Sequence, residues 1–283
     1  MRRATGVGVV RRRGRCHRSD APRPPALYTS PLRGGTKKSF FCETACFVSH
    51  SFPFSAAPPA PCEVLWAGER LLLLPERALW WPAQDTLFVA DLHIGKAATY
   101  RALGQPVPGG TTQENLARLD ALIESYAPAH LVFLGDFLHA AQARTAPVLA
   151  ALQAWRSGHA ALAMTLVRGN HDSRAGDPPS ALGIRVVEEP FVLGPFACCH
   201  HPQTHPTHFV LAGHLHPTCS LYGRGRDSLR MPCFVSDAHQ AILPAFGEFT
   251  GGWAMPPAPG RRFYGVGGSA VWALPPSRGE LAA

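Results

Sequence analysis

Leu87-Phe88-Val89-Ala90 carries no polar side chain and is followed at once by Asp91-Leu92-His93, a carboxylate and an imidazole on alternate residues. An apolar run of this length, bounded by polar text, reads as a buried strand. Buried strands of this kind occupy the middle of α/β sheets, where ligands bind at the C-terminal ends. The spacing predicts extended chain through His93, with Asp91 and His93 pointing the same way and gripping one ion together. Asp-x-His alone is a weak signal, but the arrangement recurs. His130–Leu134 stops at Gly135-Asp136, residues 161–167 stop at Arg168-Gly169-Asn170-His171-Asp172, and Phe209–Ala212 stops at Gly213-His214-Leu215-His216.

The text between these runs has helical period. Thr111-Thr112-Gln113-Glu114 reads as a capping box ahead of Leu116, Leu119, Leu122, Ile123 and Tyr126, and Pro128 ends that helix. A second helix is expected from Thr145, with Pro147 in its first turn, to Gly158. Residues 63–81 read as a pair of short opening strands, and 94–110 as a loop rich in Gly and Pro. The order strand, helix, strand, helix, strand implies parallel strands joined by crossovers. After Pro179 helical period disappears, and short strand candidates at 184–187, 191–199, 209–212, 219–222, 229–235 and 241–243 imply a second, largely antiparallel sheet packed on the first. No internal repeat is visible.

The formal charge of +8 belongs to one end of the chain. Residues 1–62 hold eleven of the 27 Lys and Arg and two acids, which leaves 63–283 at −1. The basic balance therefore gives no support for a broad nucleic-acid-binding face on the folded part. Residues 1–62, rich in Arg, Pro and Ser without period, are expected to be a disordered extension ahead of one domain at 63–283. A targeting leader and an over-long translation start both fit that composition.

Eight cysteines lie scattered without a CxxC pair, and no secretory apolar segment precedes them, so a reduced, cytoplasmic setting is expected. Cys198, Cys199, Cys219 and Cys233 sit in apolar text and read as core. No run approaches a membrane span.

Taken in order, Asp91-Leu92-His93, Gly135-Asp136, Gly169-Asn170-His171-Asp172, Cys199-His200-His201-Pro202 and Gly213-His214-Leu215-His216 resemble the motifs of the calcineurin-like metallophosphoesterases. Gly95-Lys96-Ala97-Ala98, Pro232-Cys233-Phe234 and the stretch from Leu243-Pro244-Ala245-Phe246 to Gly251-Gly252 are similar to the bacterial ligase-associated DNA damage response endonuclease group. The resemblance covers roughly residues 63–272. It implies an α/β fold of two mixed sheets with flanking helices, a four-layer α/β/β/α sandwich. It also implies two divalent ions, Mn²⁺ foremost, with Fe²⁺, Zn²⁺ and Mg²⁺ as alternatives. By the family pattern Asp91, His93 and His216 serve the first ion and Asn170, His200 and His214 the second, with Asp136 shared between them. His171 is implied to assist the leaving group, with Asp172 orienting it. Gly135, Gly169 and Gly213 stand where a Cβ would crowd the site.

His200 is preferred to His201 because the family's ligand directly follows its strand. His139 reads equally as site lining or as loop; His17, His50, His130, His159 and His208 read as structural or surface groups, and His205 and His239 as solvated loop. Lys96, Arg101 and Arg168 are candidate phosphate contacts that read equally as solvated charges. The resemblance implies hydrolysis of phosphodiesters, with DNA as substrate and an ATP-dependent DNA ligase, helicase or nuclease as associates. A small-molecule phosphatase or phosphodiesterase is the competing enzymatic reading, and an interaction module with a decayed site the competing reading of another class; the retained ligand chemistry argues against decay.

Overall fold

The computed structural model describes residues 60–107, 110–223 and 227–275. The expected disorder of 1–62 thus concerns residues almost all outside the described ones. Residue 63 starts the domain slightly late, because Ala60 already bridges Ala270 and the first strand opens at Cys62.

A seven-stranded sheet is built in sequence order. Strands β1 (Cys62–Trp66), β2 (Glu69–Leu73), β3 (Ala78–Trp81) and β4 (Thr86–Val89) form an antiparallel meander. The opening therefore holds three strands, not a pair: the chain turns at the left-handed Ala67 and Gly68 and again at the left-handed Arg77. Strands β5 (His130–Leu134), β6 (Ala163–Val167) and β7 (Arg185–Val187) continue parallel to β4.

The crossovers carry α1 (Lys96–Ala102), α2 (Thr111–Tyr126), α3 (Ala146–Gly158) and α4 (Asn170–Ala175). Helix α3 lies as expected, with Thr145 at its cap. Helix α1 falls in the expected loop, and the capping box of α2 does not form. Thr111 is already helical, and Gly110 takes the cap position with a left-handed φ of 94° and no side-chain cap.

Alternation explains why β4 to β6 read as unbroken apolar runs. Leu87, Val89, Leu131, Phe133, Met164 and Leu166 pack with α2 and α3 through Leu116, Leu119, Leu122, Val148, Leu152 and Trp155. Phe88, Ala90, Val132, Leu134 and Val167 face the other way, onto Phe196, Cys198, Leu211 and Phe234 of the second sheet. Each strand is buried on both faces, so polar residues gather at its ends, with Thr165 inside β6 paired to His130 at 2.9 Å.

The second sheet runs β14 (Trp253–Ala254), β11 (Pro217–Tyr222), β12 (Ser228–Ser236), β13 (Gln240–Ile242), β10 (Phe209–Ala212), β9 (Phe196–Cys198) and β8 (Phe191–Leu193), with β15 (Arg262–Gly267) on β12 and β16 (Ala270–Ala273) on β15. Its rim is mostly antiparallel, but β9, β10 and β13 are parallel. The expected single strand at 191–199 is a hairpin turning at Gly194, whose φ is 57°. The two mixed sheets and flanking helices are as expected. The four described helices all precede β7 in the chain.

Candidate metal centre

Two sets of parallel strands end at one place. Strands β4, β5 and β6 finish in register, with Val89 opposite Phe133 and Leu134 opposite Val167. Strands β9 and β10 finish at Cys198 and Ala212 in the other sheet. Phe246 N–H donates to Ala90 O at 2.8 Å and Gly247 N–H to Asp91 O at 3.1 Å, stitching the two edges together. All the expected site residues follow these strand ends.

The route by which Asp91 and His93 converge differs from the expected one. Strand β4 ends at Val89, and both residues are left-handed, with φ of 54° and 47°. Asp136, His214 and His216 are left-handed too, at 50°, 69° and 47°. Non-glycine residues rarely hold this conformation, at about 1–3 kcal/mol each, and such strain collects where surrounding structure demands a particular side-chain position. Here five of the seven expected ligands adopt it.

Asp91, His93 and His216 come together, with His216 Nε2 3.6 Å from Asp91 Oδ1 and 3.3 Å from His93 Nε2. Asn170, His200 and His214 form a second group, in which His200 Nε2 lies 2.9 Å from Asn170 Oδ1 and 3.0 Å from His214 Nδ1. Asp136 stands between them: Oδ2 is 3.7 Å from His93 Nε2, and Oδ1 is 3.5 Å from His200 Nε2. Donor atoms about 3 Å apart are what ligands at about 2.1 Å from one ion require. Asp91 Oδ1 is buried without a hydrogen bond. An unsatisfied carboxylate oxygen beside facing imidazole nitrogens is costly in a closed protein interior and fits a divalent cation.

Backbone carbonyls set the imidazole orientations. His200 Nδ1 faces Leu134 O at 3.2 Å and His216 Nδ1 faces Thr250 O at 3.1 Å, each leaving Nε2 for the centre. The His200 side chain is 0% exposed and that of His201 43%, and both lie with His214 in one group able to hold an ion. His201 instead pairs with Glu189 at 2.7 Å, and Glu189 also accepts the N–H of His200 at 2.6 Å. Glu189 carries no motif and sequence reasoning missed it.

His171 Nε2 lies 4.0 Å from Asp136 Oδ2, but Asp172 does not orient it. The acceptor for His171 Nδ1 is His139 O, at 2.6 Å. Asp172 is fully buried and accepts the N–H groups of Leu138 and Gly169 at 3.1 and 3.0 Å. It is a brace between the Asp136 loop and the start of α4, and burial pushes its carboxyl up to about 6. His139 lines the centre, its ring stacked on that of His171 at 5.0 Å, and burial, then Lys96 and His171, push it down to about 4. Burial also lowers His93 and His214 and raises Asp136. For His216 burial opposes the charge, but the hydrogen bond and charge of Asp91 prevail and raise it.

The glycines serve space. A Cβ on Gly169 would overlap Asp136, one on Gly135 would overlap the His200 ring, and one on Gly213 would come within 2.7 Å of Asp91 Oδ2. Arg168 is spent on Asp177 and Glu188, away from the centre. Arg101 is exposed and donates to Val107 O at 3.4 Å. Lys96, by contrast, is buried beside the centre.

A family profile described as calcineurin-like phosphoesterase matches residues 85–214. No curated protein matches the chain. Among solved structures, that of Pseudomonas putida nuclease MPE shares 50% sequence identity, covering 76% of this chain and 100% of its own, with a TM-score of 0.68. The phosphoesterase Yfce from E. coli shares 17% identity over 63% of this chain and 86% of its own, with a TM-score of 0.33.

Proposed function

Since the chain belongs to the calcineurin-like phosphoesterases, we propose that it is a dinuclear metal-dependent phosphodiesterase that cuts DNA. The observation that carries the dinuclear reading is Asp136, whose two oxygens face two different ligand groups. Asp91, His93, Asp136 and His216 would hold one ion, and Asp136, Asn170, His200 and His214 the other. Mixed nitrogen and oxygen donors suit Mn²⁺, with Fe²⁺, Zn²⁺ and Mg²⁺ as alternatives. Such ions supply Lewis acidity to a phosphodiester and to the water that attacks it.

The remaining chemistry belongs to the chain. His171 Nδ1 is tied to His139 O, so Nε2 faces the centre and serves to protonate the departing oxygen. His139 stacks on that ring and narrows its freedom. The brace at Asp172 holds the Asp136 loop against α4, so that Asp136 and His171 keep their spacing.

DNA as substrate rests on the likeness to the Pseudomonas putida nuclease. The −1 balance of residues 63–283 favours a second reading, a small phosphodiester, because long nucleic acids usually leave a basic footprint. A panel of methyl p-nitrophenyl phosphate, a phosphomonoester, nucleotides, and single- and double-stranded DNA, run on Mn²⁺-loaded protein, decides between them. Cleavage of DNA is the expected result, and hydrolysis confined to small substrates would replace it with the second reading. A working association with an ATP-dependent DNA ligase, helicase or nuclease is proposed with it, and co-purification from the source cell tests that link.

A further inference from the structure

Lys96 is 9% exposed and opens α1 one residue after Gly95. Among the described residues no carboxylate lies within ion-pair reach of its ammonium, and no hydrogen bond holds it. Its Nζ lies 5.9 Å from the centroid of the Tyr100 ring. That ring in turn lies 5.9 Å from the ring of His139, which stacks on His171, and the Lys96 N–H is bonded to His93 O at 3.1 Å, so the lysine stands beside the metal centre.

An ammonium held out of water without a partner is unfavourable, and such groups are ordinarily paired or expelled to the surface. Lys96 is neither. The proposed ions make the puzzle sharper, since two divalent cations outweigh the charges of Asp91 and Asp136. A further positive charge beside them is repelled by the loaded site and stabilised only when an anion arrives.

We infer that Lys96 is a substrate-binding residue whose ammonium takes a non-bridging oxygen of the phosphoryl group at the metal centre. The inference rests on the phosphoesterase reading and adds to it the group that supplies anion affinity. Gly95 allows the position: a Cβ there would overlap Ala143, and its φ of 78° turns the chain so that Lys96 follows His93 closely, with Lys96 N–H bonded to His93 O at 3.1 Å.

The test is Lys96→Met, which keeps the apolar stem and removes the charge. Three quantities are measured on wild-type and variant protein: bound Mn²⁺ per chain, thermal midpoint, and the dissociation constant of inorganic phosphate for the Mn²⁺-loaded form. The variant should bind Mn²⁺ as well as wild type or better, melt no lower, and bind phosphate about tenfold or more weakly, the scale of a charged hydrogen bond. The KM for methyl p-nitrophenyl phosphate should rise in step. Phosphate affinity within twofold of wild type would overturn the inference, and so would a loss of metal or of stability, which would make Lys96 a structural residue. Wild-type protein that binds Mn²⁺ but neither binds phosphate nor hydrolyses any ester would overturn the phosphoesterase reading itself, and Lys96 with it.

Discussion

The backbone N–H of His171 donates to Asp136 Oδ1 at 2.9 Å, while the imidazole of the same residue stands 4.0 Å from Asp136 Oδ2. One residue thus orients the shared carboxylate with its main chain and faces the reacting region with its side chain. The two roles separate by mutation. Asp136→Ala should empty at least one metal position. His171→Ala keeps the backbone donor, so both ions should stay while the rate falls about 10²–10⁴-fold, the usual worth of general acid assistance. Elemental analysis and single-turnover rates check the pair, and two ions per chain in Asp136→Ala would reject the shared carboxylate.

Asp172 should matter through stability. Asp172→Ala leaves the N–H groups of Leu138 and Gly169 buried and unpaired, at a cost of about 2–4 kcal/mol. The sign of its pH effect follows from burial, which raises the folded carboxyl to about 6, above its ordinary 3.8. The folded state binds the extra proton, so this contribution is present at low pH and is lost as pH rises through 6. Asp172→Asn does not titrate. The stability of wild type minus that of Asp172→Asn should therefore increase as pH falls from 6 to 4, and urea titrations at several pH values measure it; a difference that decreases would contradict the buried brace.

Gly169→Ala tests the crowding beside Asp136. The φ of Gly169 is −94°, so the backbone tolerates alanine and only space forbids it. Overpacking of this kind costs about 1–3 kcal/mol. Metal affinity should fall with stability, because the displaced group is the shared carboxylate. Calorimetric Mn²⁺ titration would show unchanged affinity if the loop simply moved aside.

Acid should remove activity by removing metal. His93, His200, His214 and His216 must be neutral to act as ligands, and ordinary imidazole titrates near 6.5. In the metal-free site His216 lies above its ordinary value and His93 and His214 below theirs, so His216 is the ligand that protonates before those two. Activity should fall steeply below about pH 6, and excess Mn²⁺ should move the falling limb to lower pH because metal and protons compete for the same nitrogens. Rate and bound metal recorded across pH at two Mn²⁺ concentrations decide this. A limb that stays in place with full occupancy would assign it to His171 instead.

Deleting residues 1–59 should leave thermal stability and small-substrate turnover nearly unchanged, since their Arg-, Pro- and Ser-rich text has no core-forming period. Ala60 is kept because it bridges Ala270. A large drop in melting temperature of the shortened protein would show that the leader belongs to the fold.

Much of this protein is legible in its sequence because burial is periodic. Strands β4, β5 and β6 are covered on both faces, so apolar residues dominate them, and the polar text that follows each, with Asp91, Asp136 and Asn170, marks the edge where ligands bind. Helix α3 was equally plain, since Pro147 and Gly158 bound an amphipathic run. Local text could not decide what depends on partners far away in the chain. The seclusion of His200 comes from Leu134 and Asn170, 66 and 30 residues distant. His171 is oriented by a carbonyl of His139, which any residue at that position would supply, so no side-chain motif announces it. The left-handed turns at Asp91 and His93 violate the propensities that sequence reading relies on, and they persist because bonds to Gly135 and Asp136 carbonyls fix that backbone. The burial of Lys96 has the same origin. A lysine after a glycine reads as solvated loop, and only the packing of α1 against the turn at Ala141–Ala143 closes it in.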